Sequence, residues 1–135
     1  MKKRIKVLLT CIGHQPKKFF LKKIKESKKY NYQIIGVDNN KNTKNKKYVD
    51  FFYKVPLGKH RSYNEVIYKI CLKHKVNLIL PGADEEVFSL IKNEKKLKKI
   101  NCFLPIIEKK KLNKICSKIN LCKYVKNLKI PFYKW

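Results

Sequence analysis

Ile5-Lys6-Val7-Leu8-Leu9-Thr10-Cys11-Ile12-Gly13-His14-Gln15-Pro16 is the stretch that decides the fold. Its first half is a short apolar run of the kind a strand needs when both faces of a parallel sheet are covered. Its second half is a polar turn, and Pro16 suits the first turn of a helix, where a missing N–H loses no hydrogen bond. From Lys17 to about Lys28, Phe19, Phe20 and Ile24 recur at helical spacing while lysines take the remaining face. Strand, turn and helix in that order open an α/β fold.

Further along, the same unit recurs. Tyr32 to Val37 is a second strand that stops at Asp38-Asn39-Asn40, and a polar loop runs from Asn39 to Lys47. Phe51 to Val55 is extended and ends at Pro56 and Gly58; a helix from Tyr63 to Lys73 follows, with Val66, Ile67, Ile70 and Cys71 on one stripe. Val76 to Leu80 is an apolar strand closed by Pro81-Gly82, and Asp84-Glu85-Glu86 opens a helix bearing Val87, Phe88, Leu90 and Ile91. Cys102-Phe103-Leu104 is a fifth strand, two helices follow over Lys109–Cys116 and Ile119–Leu128, and Ile130-Pro131 breaks the pattern. Alternation of this kind predicts a Rossmann-like parallel sheet of order 3-2-1-4-5, flanked by helices through right-handed crossovers. Ligands of such sheets gather where the strand order reverses, here between Cys11–Pro16 and Pro81–Glu86.

Composition narrows the function classes. The 135 residues carry 35 Lys+Arg against 9 Asp+Glu, a net charge of +26, with 44% hydrophobic residues. That length and apolar content support a folded core and exclude a wholly disordered chain. No apolar run approaches the roughly 18–20 residues a membrane-spanning helix needs. Nearly all the basic excess is lysine, spread from Lys2 to Lys134, and the only arginines are Arg4 and Arg61. A solvated surface with weak, salt-sensitive attraction for polyanions is the expectation, ahead of dedicated nucleic-acid binding. The five cysteines Cys11, Cys71, Cys102, Cys116 and Cys122 form no CxxC pair and no zinc-like set with histidine. Reduced thiols in a cytoplasmic protein are expected. The charged start Met1–Arg4 could precede a leader, but Lys6 interrupts the apolar run, which reads as a strand.

In the first loop a dinucleotide fingerprint would want three glycines, and only Gly13 is there, although Asp38 stands where a ribose-binding acid would. His14 and Gln15 are polar groups at a strand exit, able to donate hydrogen bonds to a bound anion. In the fourth loop, Asp84 is expected to cap the helix while Glu85 faces a substrate amine or hydroxyl. His14, His60 and His74 lie in separate segments and suggest no serine–histidine–acid arrangement, and Cys11 has no evident activating base.

The pieces Ile5–Pro16 (IKVLLTCIGHQP), Ile34–Asn40 (IIGVDNN), Tyr53–Gly58 (YKVPLG), Leu78–Glu86 (LILPGADEE) and Lys118–Lys134 (KINLCKYVKNLKIPFYK) stand in a familiar order. In them the chain resembles the N-terminal, pre-ATP-grasp domain of a carbamoyl-phosphate-synthase-like ATP-grasp protein. The resemblance implies a pre-ATP-grasp domain over residues 1–117, then a helix and the start of a linker over 118–135. It implies a role as the substrate-side domain of an ATP-dependent carboxylate–amine ligase, in which ATP with Mg²⁺ activates a carboxylate as an acyl phosphate for attack by a nucleophile. Gly13, His14, Gln15, Asp84 and Glu85 would contact a small-molecule substrate. Lys118, thirteen residues before Pro131, would contact nucleotide phosphate. Cys11 and His14 replace two glycines of the family's usual TGxGG loop, and Ser117 and Lys129 replace an Asp and a Gly of its closing signature. Since the chain stops where relatives would enter the ATP-grasp domain, it is expected not to catalyse ligation alone. It would be a truncated product, or a module working with an ATP-grasp domain in cis or in trans. The alternative is a stand-alone nucleotide- or metabolite-binding module of Rossmann-like fold.

Overall fold

Four short strands form one parallel sheet in the computed structural model, which describes residues 4–128 and Pro131. Met1–Lys3, Lys129, Ile130 and Phe132–Trp135, which include the charged start and the break at Ile130, lie outside the described residues. The chain divides into two compact units, Met1–Pro105 and Ile106–Trp135. Strands β1 (Arg4–Leu9), β2 (Asn31–Asp38), β3 (Phe51–Lys54) and β4 (Leu78–Leu80) lie in the order β3-β2-β1-β4. The register sets Leu9 against Gly36 of β2 and against Leu80 of β4, so the ends of these strands share one edge.

Val7, Leu8 and Leu9 of β1 and Ile34, Ile35 and Val37 of β2 are all buried, as a sheet covered on both faces demands. The expected fifth strand is reduced to one residue. Phe103 makes a single parallel bridge to Leu78, donating to Asn77 O at 2.8 Å and accepting from Ile79 N at 2.9 Å. Pro105 follows two residues on and cannot donate to a ladder.

Helix α1 (Lys17–Lys25) turns a different face to the sheet from the one its phenylalanines suggest. Leu21 is fully buried in a cluster with Val7, Leu9, Ile12 and Ile34, whereas Phe19 is 71% exposed and Phe20 is also exposed. Lys17, Leu21 and Ile24 share one helical stripe, and Lys17 holds the top of it by donating its Nζ to Thr10 O. Right-handed crossovers then put α2 (Tyr63–His74) on the opposite face, where Tyr63, Ile67, Ile70 and Cys71 are buried. Helix α3 (Asp84–Leu90) follows β4, and α4 (Glu94–Lys99) leads to the Phe103 bridge. In the second unit, α5 (Lys109–Ile115) packs on α6 (Lys118–Asn127), where the Ser117 hydroxyl accepts from Asn120 N at 3.3 Å as an N-cap. Among the described residues no helix is long and apolar enough to cross a membrane.

Candidate functional site

The loop after β1 threads between the exits of two other strands. Thr10 N donates to Leu80 O at 3.2 Å on the β4 side, and Ile12 N donates to Val37 O at 3.3 Å on the β2 side. Between these anchors Cys11 is held at φ 51°, a left-handed backbone that a side chain adopts at a cost.

On the β4 side the loop is fastened by a buried polar cluster. The Thr10 hydroxyl donates to Glu86 Oε2, while Gly82 N donates to Thr10 Oγ1 at 2.8 Å and to Glu86 Oε2 at 3.1 Å. A methyl group on Gly82 would lie 2.5 Å from Thr10 O and 2.9 Å from Cys11 Cβ, so only glycine lets the two loops meet. The Tyr63 hydroxyl is buried beside Glu86 and Thr10 without a well-formed hydrogen bond; burial, and then the Glu86 carboxylate, push its phenol far above the usual range. Burial lowers the Lys17 ammonium, an effect opposed by Cys11, Glu86 and Asp38. Burial, and then Glu86, raise the Cys11 thiol, which is the reverse of what an activated thiolate needs.

The N-cap of α3 is Ala83, not Asp84, and it makes no side-chain cap. The acid that reaches inward is therefore Glu86, three residues beyond the cap, whose carboxylate bends back past the cap to accept from Gly82 N, one residue before it. Asp84 is exposed on the first turn, and Glu85 pairs with Lys59 at 3.3 Å.

The β2 side is open. A groove of about 470 Å³ runs between the first loop and the segment after β2, lined by Gly13, His14 and Gln15 on one wall and by Asp38, Asn39, Asn40 and residues 42–45 on the other. Asp38 is only 6% exposed; its Oδ2 accepts from Gly13 N at 2.7 Å and its Oδ1 from Asn40 N at 2.9 Å. The buried Asn45 ties the walls together, its Nδ2 donating to Ile12 O at 2.7 Å and His14 O at 3.3 Å. Gly13 is needed for closeness, since a Cβ there would stand 2.9 Å from Asp38 Oδ2.

Of the residues singled out from the sequence, Gly13, His14 and Gln15 line this groove; Asp84 and Glu85 stand on the first turn of α3 and do not. The first and fourth loops do meet, through Thr10, Gly82 and Glu86. Lys118 is the exposed first residue of α6, beside a hollow that it lines with Ile119, Cys122 and Lys123. His60 bonds to Ser62 Oγ at 2.7 Å, and His74 Nε2 to the Tyr53 hydroxyl at 2.7 Å. Thr10, Lys17, Asn45 and Glu86 were not foreseen as site residues. Only Glu86 had a readable signal: a glutamate three residues after an alanine that cannot cap.

The ATP and Mg²⁺ of the implied family can be tested against these residues. Among the described residues no three His, Cys, Asp or Glu side chains converge to hold a metal ion. The Gly13 amide, which a phosphate would want, is bonded to a carboxylate instead. The loop after β1 therefore has no free amide at Gly13 to offer a phosphate.

The PylC-like N-terminal domain family matches residues 7–107. No curated protein sequence matches. Among solved structures, the dTDP-glucose 4,6-dehydratase of Bacillus anthracis str. Ames in complex with NAD is similar at 17% identity over 74% of this chain and 36% of that one, with a TM-score of 0.54. The Bordetella bronchiseptica enzyme WbmH in complex with NAD⁺ is similar at 12% identity over 67% of this chain and 36% of that one, with a TM-score of 0.46. The chain thus spans 36% of the dehydratase's length, and a likeness at 17% identity speaks of the Rossmann-like fold alone. With the first and fourth loops and the whole groove inside the matched residues, the chain belongs to the PylC-like N-terminal domain family, a pre-ATP-grasp domain.

Proposed function

We propose that this domain is the substrate side of an ATP-grasp ligase of the carboxylate–amine type, holding a small polar metabolite in the groove between the first loop and residues 38–45. The observation that carries the reading is the groove itself. It opens at the carboxyl edge of the sheet in a pre-ATP-grasp domain, walled by hydrogen-bonding side chains rather than apolar ones. Gly13, His14 and Gln15 contact the substrate; Asp84 and Glu85, next door, serve a longer substrate or the face toward the catalytic domain. Nucleotide and metal chemistry belong to an ATP-grasp domain joined in cis or supplied in trans, and Lys118 stands exposed for a phosphate held there. This chain's part is to bind and orient, and to bring the reacting group to the catalytic domain.

The test joins the chain to an ATP-grasp domain and follows ADP release against a panel of amines and carboxylates. His14→Ala and Gln15→Ala are expected to raise the KM for the small substrate several-fold while leaving the KM for ATP unchanged. ADP release indifferent to the presence of this chain, or a KM shift confined to ATP, would overturn the reading.

A stand-alone nucleotide-binding module is the second reading, favoured by Asp38 at the end of β2, where a ribose-binding acid would stand. Against it, a pyrophosphate on this loop would meet the Asp38 carboxylate bonded to Gly13 N. Calorimetric titration of the chain with NAD⁺ separates the two, and tight binding would favour the second.

A further inference from the structure

Six of the nine carboxylates in this chain hold a lysine within ion-pair distance: Glu26, Asp50, Glu65, Glu85, Glu94 and Glu108. Asp38, Asp84 and Glu86 form no ion pair among the described residues. Asp84 is exposed, where water solvates it. Glu86 is enclosed by Thr10, Gly82 and Tyr63. Only Asp38 is both buried and on the wall of an open groove.

In a chain of net charge +26, a carboxylate without a cation is the exception. Asp38 uses one acceptor position on each oxygen, for Gly13 N and Asn40 N. A carboxylate offers about four such positions, and burying the charge without a counter-ion costs free energy. The nearby Lys17 has its ammonium committed to Thr10 O, and Lys44, which lines the same groove, forms no ion pair among the described residues.

We infer that Asp38 anchors a primary ammonium group of the ligand, so that this groove takes the amine-bearing end of its substrate. This deepens, and rests on, the reading of the groove as the substrate site. An ammonium has three donors. Asp38 takes one and supplies the counter-charge, and the side-chain amide oxygens of the same walls, such as Gln15 and Asn42, are acceptors for the others. A diol would donate hydrogen bonds to the same oxygens but bring no counter-charge, and a metal ion would find a single carboxylate.

The test uses the full chain labelled with ¹⁵N and reads the amide signals of Gly13 and Asn40, the two donors bonded to Asp38. Titration with butylamine should move both signals saturably, while pentan-1-ol and ribose leave them in place. Asp38→Asn should weaken the amine response at least tenfold. Asn39→Lys, on the exposed rim, adds a cation to the groove without touching the Asp38 hydrogen bonds and should weaken it several-fold, which keeps the test decisive if Asp38→Asn disturbs the loop. Equal shifts with the alcohol or with ribose would overturn the assignment. So would amine shifts scattered over the surface acids without saturation at Gly13 and Asn40. If His14→Ala and Gln15→Ala raise the substrate KM in the ligase assay while butylamine leaves Gly13 and Asn40 unmoved, the groove stands as the substrate site and only the ammonium assignment falls.

Discussion

Glu86 and Asp38 are both buried carboxylates at the carboxyl edge of the sheet, on opposite flanks of the loop after β1, and neither pairs with a lysine among the described residues. On the Glu86 flank, two donors from two different loops converge on the same oxygen, and α2 brings a tyrosine against it. On the Asp38 flank two backbone amides, Gly13 N from the first loop and Asn40 N from the segment after β2, each take a separate oxygen, and beyond the carboxylate lies open space. Burial and lack of a counter-ion do not by themselves mark a ligand-binding acid. What separates the two is whether the remaining acceptor positions face protein or groove.

If Glu86 is a fastening, its removal should be costly. Glu86→Ala leaves the Thr10 hydroxyl and the Gly82 amide without their shared acceptor and is expected to lower unfolding stability by about 3 kcal/mol, measured by urea denaturation. Glu86→Gln keeps an acceptor oxygen and should lose only about 1 kcal/mol. Equal losses in the two variants would mean that the charge, rather than the hydrogen bonds, holds the loops together.

Gly82→Ala attacks the same flank from the other loop. Its methyl group would press on the Thr10 carbonyl and on Cys11, and an overpacked site of this kind costs about 2 kcal/mol. A stability within about 0.5 kcal/mol of the parent would show that the two loops can part without penalty, and the contrast between the flanks would dissolve.

Asp38→Asn should be milder, because one amide oxygen replaces two carboxylate oxygens and the orphaned N–H can turn to water in the groove. A loss of about 1 kcal/mol or less is expected in the same urea experiment. A loss as large as that of Glu86→Ala would make Asp38 a structural residue too.

The strands were legible because burial on both faces leaves uninterrupted apolar runs, as in Val7-Leu8-Leu9 and Ile34-Ile35. The face of α1 was not. Phe19 and Phe20 are its most apolar pair, yet the inward stripe runs through Leu21, packed in the core, with Lys17 above it bonded to the Thr10 carbonyl, tertiary contacts that no local pattern records. The site was legible to the level of its loops. Which acid turned inward depended on the start of α3: with the cap at Ala83 the third helical residue, whose side chain bends back to the preceding loop, is Glu86, while Glu85 pairs with Lys59. Asp38 was visible as a strand-end acid, but its isolation from lysine emerges only once every other carboxylate has been placed.

The smallest effect lies on the loop itself, at the residue common to both flanks. Cys11 is held at φ 51° by Thr10 N bonding to one strand exit and Ile12 N to the other. The left-handed backbone costs a residue with a side chain about 1 kcal/mol, while glycine there would lose about 0.5 kcal/mol more conformational entropy on folding. Cys11→Gly and Cys11→Ala lose much the same side-chain packing, so Cys11→Gly, which alone relieves the strained backbone, should be the more stable of the two by about 0.5 kcal/mol. If the two variants unfold at the same urea concentration, the backbone at residue 11 relaxes freely. The loop would then be set by Glu86 on one side alone, and the groove on the other could change width without resistance.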